Sequence, residues 1–287
     1  MSTETASFGA GKREGHDARR FYARRMLRST PAGRPGPPAA PPEEVLDRLI
    51  CRSSEAMEEL PDDCVALMVT SPPYNVGKDY DADLSLEEYL GLLKRVLGET
   101  YRVLEPGGRV AVNVANLGRR PYLALNHRVA ALLEEIGFLL RGEIVWQKAQ
   151  GAGGSCAWGS WCSARNPTLR DVHEYVVVAS KGSFRRLRLG EDTISRQEFL
   201  EATVSVWNIA PASARRIGHP APFPVELPRR LIELYTFRGD LVLDPFMGSG
   251  STAVAAVESG RHFIGYETEP AYLEIARARI QAAQGIA

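Results

Sequence analysis

The run Thr70-Ser71-Pro72-Pro73-Tyr74-Asn75 concentrates more chemistry than an ordinary turn needs. Two consecutive prolines stiffen the backbone and remove two N–H donors, leaving their carbonyls and the Ser71 hydroxyl as acceptors. Tyr74 adds an aromatic face for a planar ring. Acceptors converging beside such a face suit an exocyclic amino group, whose nitrogen is a poor nucleophile because its lone pair is delocalised into the ring. Acceptors on its N–H bonds would draw the nitrogen towards a pyramidal geometry, so positioning and electrostatics would supply most of the rate. A purely structural turn is the competing reading of the same residues.

A second constellation is Asp244-Pro-Phe-Met-Gly-Ser-Gly-Ser-Thr252, which joins an apolar strand to a helix. Gly248 and Gly250 let the backbone turn sharply and approach a ligand without a Cβ in the way. The helix that follows offers unpaired N–H groups at its start. Glu267 ends the next strand, where an acid can accept hydrogen bonds from ribose hydroxyls. The chain lacks GxxxxGK[ST], and the spacing here is not GxGxxG, so neither a phosphate loop nor a dinucleotide turn fits well. Together the strand, turn, helix and acid point to a nucleoside cofactor.

The elements that must position these groups alternate along the chain. Val45 to Arg52 and Cys64 to Thr70 read as short buried strands, and Leu84 to Leu104 as one long helix stopped by Glu105-Pro-Gly-Gly108. A strand over Arg109 to Asn116, a helix ended by Gly137, and strands over Leu140 to Lys148 and His173 to Lys181 follow. No chemistry is assigned to His173 or Glu174. Periodicity fades until a helix over Pro224 to Phe237, after which come a strand over Asp240 to Asp244, a helix to Gly260, a strand over His262 to Glu267 and a last helix. Such alternation implies a three-layer α/β fold around a mostly parallel sheet.

Length and charge set the remaining bounds. The chain has 287 residues, 35 basic and 35 acidic, which allows one enzyme domain and excludes a strongly cationic binder. Residues 1–42 read as a flexible basic tail with a short helix over 17–28 as its one candidate element, and 43–287 as the catalytic domain. The four cysteines, Cys51, Cys64, Cys156 and Cys162, lack metal-ligand spacing, and no metal site is expected. No secretory leader or membrane span is visible, which suggests a cytoplasmic protein.

The pairing of DPFMGSGS with TSPPY resembles the DNA amino-methyltransferases, which methylate cytosine N4 or adenine N6. The order, catalytic tetrapeptide before glycine loop, is similar to their circularly permuted β group, and the resemblance spans Val45 to Ile280. It implies a Rossmann-like fold, S-adenosylmethionine as cofactor and double-stranded DNA as partner, with a separately acting restriction endonuclease as a further candidate. By the same resemblance Ser71, Pro72, Pro73 and Tyr74 would hold a flipped base. Asp244, Phe246, Gly248, Ser249 and Gly250 would line the methionine side of the cofactor, with Glu267 on the ribose. His219, Pro220, Phe223 and Pro224 match a further cofactor segment. Where the family often has Gly-Asp, this chain reads Cys51-Arg52-Ser53-Ser54. A serine at the first position of the tetrapeptide is the usual mark of the cytosine-N4 enzymes. Two segments are left for DNA contact, Ala149 to Arg170 and 181–216. The second carries Lys181, Arg185, Arg186, Arg188, Arg196, Arg215 and Arg216 and is the preferred recognition region, with a solvated charged face as its competing reading.

Overall fold

Val65–Thr70 is apolar at its first five positions, and in the computed structural model all six residues are buried. A strand buried on both faces requires a helical layer over each. The structure describes residues 36–74, 83–118, 121–148, 159–218 and 222–285. In chain order the elements are β1 (Arg48–Cys51), β2 (Val65–Thr70), α1 (Leu86–Val103), β3 (Leu104–Val114), α2 (Leu125–Ile136), β4 (Phe138–Gln147), β5 (His173–Lys181), α3 (Arg196–Ala202), β6 (Val206–Asn208), α4 (Ala214–Ile217), α5 (Glu226–Tyr235), β7 (Leu241–Asp244), α6 (Ser251–Glu258), β8 (His262–Glu267) and α7 (Pro270–Ala283). The strands form one sheet in the order β1-β8-β7-β2-β3-β5-β4-β6. Only β5 runs against its neighbours. Met68 packs with Val96, Leu97 and Leu133 of α1 and α2, whereas Leu67 and Val69 pack with Leu227, Ala253 and Ala276 of α5, α6 and α7. This is the expected three-layer α/β architecture.

From β7 the chain crosses to β8 on one side, and from β2 it crosses to β3 on the other. The carboxyl ends of β7 and β2 are therefore adjacent at the point where the winding reverses, the place where open α/β sheets bind ligands. Asp244 and Thr70 end those two strands. The pairings Thr70↔Val112, Val114↔Tyr175 and Gln147↔His173 bring the ends of β3 and β4 and the start of β5 to the same edge.

Several local expectations are revised. Helix α1 opens on Ser85, whose hydroxyl accepts from the Glu88 N–H while the Glu88 carboxylate accepts from the Ser85 N–H. It runs directly into β3 at Leu104, so Glu105–Gly108 belongs to the strand and forms an irregularity in its register with β2. Gly107 (φ +79°) is required there, because a Cβ would collide with the Arg185 carbonyl. The first strand is shorter than expected, Arg48–Cys51, after a tight turn over Glu43–Val45. The region of faded periodicity holds α3, opened by a Ser195/Glu198 capping box, and the strand β6, which pairs parallel to β4 through the buried Trp207. The expected helix over 17–28 lies outside the described residues. The tail is tied down before residue 42: the Ala39 N–H donates to the Asp63 carbonyl at 2.9 Å.

The largest correction concerns the cations expected to meet DNA. Lys181 ends β5 at the edge opposite Thr70, where its ammonium pairs with Asp63 at 2.6 Å and donates to the Arg102 carbonyl at 2.9 Å. Arg186 is 9% exposed and bridges Glu105 and Asp240, both at 2.6 Å. Arg188 lies 3.3 Å from Glu105 and donates to the Ala39 carbonyl at 2.7 Å. Glu105 and Asp240 are nearly sealed from water at the amino ends of β3 and β7. Burial pushes the Glu105 carboxyl above its ordinary range against the pull of Arg186. Lys181, Arg186 and Arg188 thus neutralise acids at the amino-end edge of the sheet, far along the strands from the Ser71–Tyr74 turn. Arg185 is exposed beside them, whereas Arg215 is exposed on α4, beyond the carboxyl end of β6. The side chain of Arg216 lies outside the described residues.

Replacing Arg186 strands two buried carboxylates, a change that typically costs about 3–5 kcal/mol. Arg186→Ala is expected to lower unfolding free energy in urea by about that amount, while the salt slope of DNA binding stays at the wild-type value. A shallower slope with unchanged stability would return Arg186 to the DNA-contact set.

Candidate active site

Asp244 is fully buried, and its carboxylate ties the two functional loops together. Oδ1 accepts from the Thr70 hydroxyl at 2.7 Å and from the Phe246 N–H at 3.1 Å, and Oδ2 accepts from the Thr252 hydroxyl at 2.6 Å. Burial pushes the carboxyl up to about 6, although the Thr252 and Thr70 hydroxyls and the Phe246 N–H oppose the shift. With its carboxylate so engaged, Asp244 supports the glycine loop from beneath and has no exposed side-chain surface to offer a ligand.

The glycine loop separates into lining and supporting residues. Gly248 has φ +50°, and its N–H donates to Glu267 Oε2 at 2.8 Å, so the turn and the acid at the end of β8 are in direct contact. Glu267 Oε1 accepts from the Glu269 N–H at 2.9 Å, which fixes the carboxylate while leaving lone pairs for further donors. Phe246, Gly248 and Glu267 are partly exposed. By contrast, the carbonyl and hydroxyl of Ser249 both accept from Arg279, at 2.5 and 3.0 Å, and a Cβ on Gly250 would lie 2.9 Å from that of Ala276. Ser249 and Gly250 therefore serve the packing of α6 on α7. Phe223 is buried, and its carbonyl accepts from the Ser251 hydroxyl at 2.9 Å, which ties the segment before α5 to the loop. His219 and Pro220 lie outside the described residues. In the atypical segment after β1, Arg52 turns to Glu59 at 2.8 Å and the buried Ser54 hydroxyl donates to the Pro245 carbonyl at 2.8 Å.

Around the Ser71–Tyr74 turn the structure assembles a polar cluster that motif reading missed. The Ser71 and Tyr74 hydroxyl oxygens are 3.1 Å apart, and the Tyr74 hydroxyl donates to Glu174 Oε2 at 3.1 Å. Asn113 Nδ2 donates to the same carboxylate oxygen at 2.7 Å and lies 3.2 Å from Tyr74 Oη and 3.3 Å from Ser71 Oγ. Lys148 pairs with the other oxygen, Glu174 Oε1. Burial, and then the Glu174 charge, push the Tyr74 phenol well above its ordinary value, so it stays protonated. The one signal in the sequence was a polar residue at the margin of an apolar run in each of two strands, Asn113 in VAVNV and Glu174 in HEYVVV. Neither strand contains a motif, and only strand register reveals that both face Ser71.

The two loops lie side by side at the switch point, one meeting the Glu267 carboxylate and the other a rigid aromatic turn, where open α/β sheets bind ligands. Comparison with known proteins specifies the class. The profile of the N6_N4_Mtase family, described as DNA methylase, matches residues 65–278. The Type II methyltransferase M.MthZI of Methanothermobacter thermautotrophicus is 32% identical over 270 residues, covering 81% of this chain and 76% of that protein. M.BglI of Bacillus subtilis is 29% identical over 293 residues, covering 79% and 83%. Among solved structures, a DNA modification methylase of Thermus thermophilus, TTHA0409, in complex with S-adenosyl-L-methionine matches with TM-score 0.66 and 28% identity, covering 82% of this chain and 93% of that one. The PvuII DNA methyltransferase (cytosine-N4-specific) shares the fold, with TM-score 0.65 at 20% identity, covering 83% and 90%. This chain belongs to the N6/N4 DNA methylase family, and it is a DNA amino-methyltransferase. Among the described residues no helix is long and apolar enough to cross a membrane, and no group of His, Cys, Asp and Glu could hold a metal ion.

The Asp244 carboxyl titrates at about 6 when folded, above the 3.8 of an ordinary aspartate. Between those values the unfolded chain loses its proton first, so this group makes stability fall as pH rises from about 4 to about 6. In Asp244→Asn the amide can accept from one threonine and donate to the other without a buried charge. Urea unfolding at pH 4.5 and 6.5 should therefore give a smaller loss across the interval for Asp244→Asn than for wild type. Equal losses would show that Asp244 ionises as freely in the folded protein as in the unfolded chain.

Proposed function

We propose that the protein is a site-specific DNA methyltransferase that transfers a methyl group from S-adenosylmethionine to the N4 amino group of cytosine. The observation that carries the choice of base is the Ser71 hydroxyl, a neutral acceptor at the head of the catalytic turn. A neutral acceptor suffices to orient the amino group of the smaller ring, and it avoids placing an extra charge against the base. Adenine N6 is the second reading. It is favoured by the Glu174 carboxylate, which stands behind the turn and supplies a strong acceptor, as would the Asp that, with Asn, is usual at the first position of the tetrapeptide in adenine-N6 enzymes.

The residues fit the cofactor. Gly248 at positive φ allows close backbone approach beside Phe246, and Glu267 is fixed where ribose hydroxyls would donate to it. His219, Pro220 and Phe223 complete the cofactor segment by resemblance. When bound, S-adenosylmethionine supplies an electrophilic methyl group. Ser71 Oγ and the Pro72 carbonyl would hold the amino hydrogens and orient the nitrogen lone pair, and the Tyr74 ring would stack on the base. The target base must leave the duplex to reach this edge, at a cost of about a few kcal/mol that DNA contacts offset. The segment Ala149 to Arg170 connects the end of β4 to the start of β5, both at this edge of the sheet; its residues 149–158 lie outside the described residues. With Arg215 it replaces Lys181, Arg186 and Arg188 as the preferred DNA-facing region.

Digestion of methylated DNA to nucleosides, followed by mass spectrometry, should give N4-methylcytosine. N6-methyladenine as the sole product would overturn the choice of base and leave the enzyme class standing. Gly248→Val forces a β-branched residue into the left-handed region at the ligand-facing turn. Calorimetry should register loss of S-adenosylmethionine binding with the fold retained, and tight binding would remove the glycine loop from the cofactor site. Ser71→Ala should slow methyl transfer by about a hundredfold with little change in cofactor affinity, the pattern of an interaction made mainly in the transition state. A raised Kd for S-adenosylmethionine at an unchanged rate would remove Ser71 from the reacting centre.

A further inference from the structure

We propose that Glu174 is a positioning residue that makes the Ser71 hydroxyl a hydrogen-bond acceptor towards the target amino group, acting through Tyr74 and Asn113. The proposal follows from a count of protons in the buried cluster. An ionised carboxylate only accepts. Glu174, 6% exposed on β5, therefore takes the single phenolic proton of Tyr74 and one amide hydrogen of Asn113 on the same oxygen, Oε2. Because a carbonyl oxygen facing that carboxylate would be repelled, the contact at 2.7 Å also fixes which way the Asn113 amide points. The direction of the contact between the two hydroxyls then follows. With the Tyr74 proton committed to Glu174, the 3.1 Å contact between the two hydroxyls has Ser71 as donor and Tyr74 Oη as acceptor. The second Asn113 hydrogen points towards both hydroxyl oxygens, Tyr74 Oη at 3.2 Å and Ser71 Oγ at 3.3 Å from Nδ2. Whichever of the two accepts it, Ser71 has given away its proton and keeps a lone pair. That lone pair can receive an N–H of the base.

Lys148 completes the arrangement from the end of β4. Its ammonium occupies Oε1 of Glu174, so the oxygen that orders the cluster is the one turned to Tyr74 and Asn113. A glutamine at this position would be read the opposite way. Its amide oxygen would face the Lys148 ammonium, turning the NH2 group towards Tyr74 and Asn113. Tyr74 would then accept, its proton would be directed at Ser71, and the Ser71 proton would oppose the N–H groups of the substrate. Tyr74 stays a neutral link throughout, because burial and the Glu174 charge hold its proton.

The inference rests on the amino-methyltransferase reading, and the experiment separates the two. Single-turnover methyl transfer to DNA is measured with enzyme in excess for wild type, Glu174→Gln, Tyr74→Phe, Ser71→Ala and the Glu174→Gln/Ser71→Ala double variant. Kd values for S-adenosylmethionine and DNA are measured alongside. Glu174→Gln should slow transfer by about ten- to a hundredfold with both Kd values near wild type. In the Ser71→Ala background the same change should have little further effect, because Glu174 acts only through that hydroxyl. Tyr74→Phe keeps the ring, should slow transfer by a smaller factor, and serves as the test if Glu174→Gln does not fold. A wild-type rate in the folded variant, or rate losses that multiply in the double variant, would overturn the role of Glu174 while the enzyme class stood. Absence of any transferred amino-methyl group with the wild-type protein would instead overturn the choice of reaction.

Discussion

The Asp244 carboxylate is the interaction on which the rest of the site depends. It sits between β7 and β2, and through Thr70, Thr252 and the Phe246 N–H it joins the strand before the catalytic turn, the loop after β7 and the first turn of α6. A carboxylate sealed from water is unfavourable unless donors saturate it, and here two hydroxyls and one N–H do so. The consequence is geometric. A reaction between a bound cofactor and a base held on a neighbouring loop is sensitive to displacements of about 1 Å. One buried anion shared by both loops keeps that separation constant.

The two edges of the sheet use charge in opposite ways. At the amino ends of β3 and β7, Lys181, Arg186 and Arg188 are paired with Asp63, Glu105 and Asp240. There the cations hold the segment after β5 against the underside of the sheet, at the close approach that Gly107 permits. At the carboxyl ends, Lys148 and Glu174 form a pair whose second oxygen is turned to two neutral polar side chains and the serine of the turn. With 35 basic and 35 acidic residues, the chain has no net cationic field to draw DNA to it. Any attraction to DNA would then come from locally clustered cations and not from the net charge.

The proposed catalytic turn begins with a serine. A serine is a weaker and less directional acceptor than a carboxylate, because its proton can rotate. Ser71 packs against Asn113 and Tyr74, with Glu174 behind both, and these contacts would restrict that rotation without placing a charge at the serine itself.

Much of this protein was legible in the sequence. Alternating apolar runs specified the three-layer α/β class, and the SPPY and DPFMGSG turns marked two strand ends, because turn chemistry and burial periodicity are local properties. Even the missed helix α3 carried a local signal, the Ser195/Glu198 capping box. What the sequence could not specify were partners far apart along the chain. Thr70 meets Asp244, Tyr74 meets Glu174 and Arg186 meets Asp240 because strand order and register bring them together. For that reason the stretch of Lys181, Arg185, Arg186 and Arg188, which read as a basic DNA-binding surface, divided into three ion-paired side chains and one exposed one. A charge in a sequence has a sign but no partner. Only the tertiary fold decides whether it faces water, a phosphate or a buried carboxylate, because desolvation and pairing depend on the neighbours that the sheet supplies.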